Sequence, residues 1–132
     1  MRNNLIIFGI IAAFVLLVAA QFPAGFVGGK LLEKEYYVSA TGLTITVPDS
    51  ATAQWGAMIN GSAAHVSTGA VWVTMGDGNQ AAPVVSTPTA GVPTVGTYLD
   101  IGQSYTVPAG VKSIKLKTDT GLIAYVRVTL VY

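Results

Sequence analysis

The chain has 132 residues, 52% of them hydrophobic and only 10% charged, with a formal net charge of +1. That length holds one domain and little more, and so small a charge excludes the clustered lysines and arginines with which proteins grip nucleic acid. Cysteine is absent, which removes disulfides, thiolate catalysis and cysteine-ligated metal together.

Leu5 to Ala20 is a run of sixteen residues without a polar side chain, LIIFGIIAAFVLLVAA, behind the weakly basic flank Met1-Arg2-Asn3-Asn4. Two readings fit it. A secretory signal peptide has this apolar length, and Val18-Ala19-Ala20 before Gln21 is an acceptable small-residue cleavage site. A retained anchor is the other: as a helix the run spans roughly 24 Å, a little short of a bilayer's hydrocarbon core, with Phe22 and Phe26 available to extend it. The signal peptide fits the length slightly better. The retained helix, over 1–22, is nevertheless the expectation adopted, since the chain carries the segment. It would lie in lipid or in a hydrophobic bundle formed by other copies, and Arg2 suggests that the rest of the chain lies on the far side.

Pro23, Gly25, Gly28 and Gly29 then break a helix and make a joint. Lys30 to Glu35 (KLLEKE) holds four charged residues and reads as a helical turn, a collar or a solvated link. Residues 23–35 are therefore expected to be a linker, and 36–132 the folded domain.

From Tyr36 onward the pattern is β. Tyr36 to Ala40 reads as a first strand and Leu43 to Val47 as a second, with Leu43, Ile45 and Val47 on one face. Ala53 to Ile59 is a third, closed by Asn60-Gly61, a strong hairpin signal, with a short strand expected at Ala64 to Ser67. Ala70 to Met75 follows and ends at Gly76-Asp77-Gly78-Asn79. Gln80 to Gly96 carries Pro83, Pro88 and Pro93, which bars a central strand and predicts a long loop with at most an edge strand near Val84-Val85. Thr97 to Ile101 and Ser104 to Val107 read as strands about a turn at Gly102, then Val111 to Lys117. Leu122 to Tyr132 is the longest, with Leu122, Ala124, Val126, Val128, Leu130 and Tyr132 on one face. About seven to nine short strands at such spacing predict an all-β class: a single β-sandwich or jelly-roll-like domain behind a hydrophobic, transmembrane-like helix.

The usual chemical constellations are missing. His65 is the sole histidine, and Ser62 or Ser67 beside it make no nucleophile elbow; a surface or loop histidine is the expectation. One His, no Cys and six scattered acids make no zinc site. Gly76-Asp77-Gly78-Asn79 lacks the repeated acids of a calcium loop and reads as a turn. Glu33 and Glu35 imply no cleft for a glycosidase pair. Trp55 and Trp72 are both expected to pack in the core rather than stack on a sugar. Lys115 and Lys117 share a face, with Lys112 nearby, and read as solvent-exposed rather than as a lipid or acidic-partner site. No catalytic, cofactor-binding or metal residue is expected, and no cofactor.

From Leu43 onward the order of features resembles small β-sandwich domains of bacteriophage virion proteins. The resemblance is carried by Leu43 to Pro48 (LTITVP), by Ala70 to Thr74 (AVWVT) before Gly76-Asp77-Gly78, and by the proline-bearing stretch with Pro83, Ser86-Thr87-Pro88 and Gly91. Ile101 to Tyr105 (IGQSY), Val111 to Lys115 (VKSIK) and Val126 to Thr129 (VRVT) complete it. The resemblance covers about two-thirds of the chain and implies a head- or tail-associated structural module without catalytic residues. The hydrophobic helix departs from that pattern and would suit a particle that encloses a lipid membrane.

The expected function is thus structural: a membrane-anchored minor capsid or vertex-associated protein of a bacteriophage virion, acting by subunit assembly. Its expected partners are other copies of itself, neighbouring virion proteins, and a membrane or helix bundle through Leu5–Ala20. Neither nucleic acid nor a small-molecule substrate is expected. The alternatives are a secreted or surface-anchored bacterial module binding carbohydrate or protein, and a pilus or filament subunit with a helical core.

Overall fold

The computed structural model describes residues 29–85 and 95–132. The expected helix over 1–22, the run Leu5–Ala20 within it, and the middle of the proline-rich loop lie outside the described residues. Among the described residues no helix is long and apolar enough to cross a membrane.

The domain is all-β. In chain order its strands are β1 (Leu31–Val38), β2 (Leu43–Thr46), β3 (Trp55–Asn60), β4 (Val71–Gly76), β5 (Thr97–Leu99), β6 (Ser104–Val107), β7 (Ser113–Thr118) and β8 (Ala124–Val131). They form two antiparallel four-stranded sheets, β1-β8-β3-β6 and β2-β7-β4-β5. The pairs nest: β1 with β8, β2 with β7, β3 with β6, β4 with β5. The chain therefore behaves as one long antiparallel hairpin rolled up, and successive strands alternate between sheets except at β4–β5.

Period-two alternation gives each sheet an apolar inner face. Val38, Met58, Val107, Val126, Val128 and Leu130 of the first sheet meet Ile45, Val71, Val73, Leu99, Ile114 and Leu116 of the second in one buried cluster. Gly56 lies under Leu130 in this layer. A Cβ at Gly56 would come within 2.4 Å of Leu130 Cδ2 and 2.8 Å of the Thr129 carbonyl, so the residue is small because the chains approach closely there.

Several expectations are corrected. The first strand begins at Leu31, not Tyr36, so KLLEKE, read as part of the linker 23–35, forms the first half of β1 and pairs residue by residue with the end of β8. The β8 backbone supplies the ladder, and the edge position tolerates the charges. Asn60-Gly61 does not close a hairpin, and no strand forms at 64–67. Asn60 is instead the last residue of β3, fully buried, and the chain crosses to the other sheet. Gly102 does sit in a turn, with Gln103 N donating to the Asp100 carbonyl at 3.0 Å, but β5 and β6 on either side of it belong to different sheets.

The four connections β1–β2, β3–β4, β5–β6 and β7–β8 gather at one end of the sandwich. Residues 29 and 132 lie at the other, where Lys30 and Tyr132 exchange both backbone hydrogen bonds, at 2.7 and 2.9 Å. A salt bridge from Lys30 Nζ to Asp49 Oδ2, 2.5 Å, ties the β2–β3 connection to the same end.

Candidate functional site

The outer face of the first sheet is the part of the surface with most side-chain chemistry. Register places its outward residues in rows across β1, β8 and β3: Leu31–Val131–Trp55, then Glu33–Thr129–Ala57, then Glu35–Arg127–Ile59, then Tyr37–Tyr125. The first row has no charge and includes two well-exposed apolar side chains, Leu31 at 63% and Trp55 at 52%. Trp55 is thus not the core residue that the sequence predicts. Gly56 takes the inward position under Leu130, and alternation then turns Trp55 outward. Trp72 is buried, although it lies on the outer face of its sheet, with the Tyr98 ring edge-on to it at 5.2 Å.

At the far end of the same face the β3–β4 loop folds back onto the sheet. His65 stacks on Tyr125, ring centroids 4.7 Å apart, and Tyr37 meets Tyr125 edge-on at 5.7 Å. His65 Nδ1 lies 2.5 Å from Glu35 Oε1. Ser62 belongs to the same loop, and its Oγ accepts from the Ala64 amide at 3.0 Å. The Ser62 hydroxyl holds the Glu35 carboxyl below its ordinary value; desolvation opposes this, and His65 and Arg127 reinforce it.

The order of these contacts decides their chemistry. Nucleophilic catalysis needs the hydroxyl bonded to the imidazole and the carboxylate behind it. Here the His65 imidazole meets the Glu35 carboxylate, and no hydrogen bond joins the Ser62 hydroxyl to the imidazole among the described residues. Ser67 is bound elsewhere, its Oγ accepting from the Tyr125 amide at 2.9 Å. The cluster fastens a loop to a sheet. Since His65 occupies one face of Tyr125, that ring offers no open platform for a sugar on that side.

The second sheet's outer face is partly covered by its own chain. Lys115 Nζ donates to the Gln80 carbonyl at 2.6 Å, Thr74 Oγ1 to the Ala81 carbonyl at 2.8 Å, and Gln80 Nε2 to the Ser113 carbonyl at 3.0 Å. Lys115 is therefore engaged in holding residues 80–81 rather than free in solvent. Asp77 receives the Asn79 amide at 2.9 Å, which is the turn geometry the sequence suggests, and this bond draws its carboxyl below the ordinary value. An open groove of about 560 Å³ near the β5 and β6 edges is lined by Val73, Met75, Gln80, Val95, Tyr105 and Pro108 among others. Among the described residues no group of three or more His, Asp or Glu side chains stands together as a metal set would.

In the sequence His65, Ser62, Glu33, Glu35, Trp55, Trp72 and the lysines stand as separate candidates. The structure brings together Glu35, Ser62 and His65, and leaves Trp55 with Leu31 at the opposite end. Tyr37 and Tyr125, two of the six tyrosines that with the tryptophans offer a possible sugar-stacking platform in the sequence, meet only through the β1–β8 register, and no local pattern marks that meeting. Comparison with protein-family models, curated proteins and solved structures returned no match.

Proposed function

We propose that the chain is a structural component of a bacteriophage particle, a minor capsid or vertex-associated protein that works by assembly and is held by its apolar N-terminal run. The observation that carries this reading is the nested strand pairing. Eight strands in the orders β1-β8-β3-β6 and β2-β7-β4-β5 have the topology of a jelly roll, an architecture of viral capsid domains, lectins and cupins. The fold alone does not choose among these. Against a cupin-like enzyme stands the lack of a metal-ligating cluster among the described residues. Against a lectin-like module stands the arrangement of the aromatics, since Trp72 is buried and Tyr125 is stacked on by His65. The resemblance of Leu43 to Thr129 to phage virion domains points the same way as the topology.

The remaining support is the surface. Val66, Tyr98, Ile101 and Tyr105 are exposed large hydrophobic side chains, and apolar and aromatic surface of this kind is suited to subunit contacts. The test is intact mass on protein from its native source, combined with detergent extraction of the particle fraction. Full-length mass in purified particles supports the reading. A freely soluble form beginning at Gln21 overturns it in favour of a secreted binding module, for which the exposed Trp55 is the favouring observation.

A further inference from the structure

We infer that the row Leu31–Val131–Trp55 is a membrane-contacting edge, seated at the headgroup boundary of the bilayer that takes the apolar N-terminal run; this rests on the anchored reading of that run. The three side chains are neighbours across β1, β8 and β3. Leu31 and Trp55 are more than half exposed, although burying either in a core would stabilise the domain.

Where the chain joins this row argues for lipid rather than a protein partner. Gly29 packs directly against it: a Cβ there would come within 2.7 Å of Val131 Cγ1. The described chain therefore starts beside this row. Ten residues, 21–30, separate Ala20 from Leu31. Fully extended they reach about 35 Å, so a run inserted in a bilayer keeps the row within that distance of the same surface.

Polarity along the face matches the required depth. Successive rows are two residues apart, about 7 Å along the strands. Behind the Lys30–Asp49 ion pair at the tip comes the uncharged row, then Glu33, then Glu35 and Arg127. Interfacial elements bury their apolar side roughly 5–10 Å into the headgroup boundary, so Glu33 would remain at headgroup level. An indole suits that boundary, with an apolar body and one N–H for water or a headgroup oxygen. Lys30, the cation beside the row, is already paired with Asp49, so a zwitterionic surface suffices.

The full chain reconstituted in phosphatidylcholine vesicles, brominated at shallow acyl positions, tests this. Wild type should lose about half of its emission relative to unbrominated vesicles, the share of one of its two tryptophans. Trp55→Phe should abolish that loss while the buried Trp72 continues to report the fold. Leu31→Asp should weaken the loss in a chain that still floats with the vesicles. A chain that floats with unquenched Trp55 overturns this inference alone. A chain that does not float overturns the anchored reading and this inference together.

Discussion

The side-chain amide of Asn60, at the end of β3, donates to the carbonyl of Leu99, at the end of β5, at 3.1 Å, and so joins the two sheets. The same amide donates to the Gly69 carbonyl at 3.1 Å. Its backbone receives the Gly102 amide at 2.6 Å and donates to the Gln103 carbonyl at 3.1 Å. Two connections, β3–β4 and β5–β6, and the end of β5 therefore depend on one fully buried residue. Asn60→Ala leaves two buried carbonyls without donors and should lower stability by about 2–4 kcal/mol, read by denaturant unfolding. A loss under about 0.5 kcal/mol, the range of an ordinary surface change, would mean that Asn60 does not join the sheets.

Gly56 makes a second prediction, of opposite sense in volume. Its missing side chain is what allows Leu130 and Val107 to close over it. Gly56→Ala adds one methyl where no space exists and should cost about 1–3 kcal/mol, despite the better strand propensity of Ala. A thermal melt equal to wild type would show that Leu130 can move aside at no cost.

These two residues also mark where the sequence stops being legible. Strands β2 and β7 could be read directly, because strict alternation of apolar and polar residues is a local signal, and β4 and β8 from their runs of valine and aromatic residues. Asn60-Gly61 carries the local signature of a hairpin, yet the side chain is used for a contact with Leu99, thirty-nine positions away, which no local pattern announces. The start of β1 was hidden because Glu33, Lys34 and Glu35 look like a link. What makes them a strand is the β8 backbone about a hundred residues later. Trp55 was misplaced for the same reason: its face is decided by what Gly56 must pass beneath. The Glu35–His65 pair joins residues thirty apart and depends on the loop folding back, so spacing gave no warning of it.

Glu35 should leave a signature in the pH dependence of stability. Its carboxyl is held below the ordinary value of 4.5, first by Ser62 and then by His65 and Arg127. A carboxyl whose folded value is depressed contributes stability that is complete above its unfolded value and is lost as pH falls through the folded one. Wild type should therefore melt above Glu35→Gln at pH 6, and the gap should close as pH falls below 4.5 and through the lowered folded value. Hydrogen exchange of residues 61–67 should quicken in the variant at pH 6. A gap that is the same at both ends of the range would remove Glu35 from the account of how this loop is held.

β1 is an eight-residue edge strand, the kind of edge that invites pairing with another copy. Its sequence works against that. A two-fold axis normal to the sheet must pair residues of the same face, so a second copy can dock antiparallel about Lys34 or about Glu35. The first places Lys34 opposite Lys34 and Glu33 opposite Glu35. The second places Glu35 opposite Glu35. Like charges directly opposite destabilise a strand pair, and Lys34 takes the inward parity while remaining exposed, a further obstacle to extending the sheet. Glu33→Thr combined with Lys34→Val removes both conflicts of the first register and leaves the Glu35–His65 pair intact. In detergent micelles that double variant should self-associate at concentrations where wild type does not, seen by sedimentation velocity. Equal behaviour of the two would mean that the charges are incidental and that something else protects the edge. Association of the variant would imply that any assembly of this domain proceeds through its sheet faces, with the β1 edge kept closed.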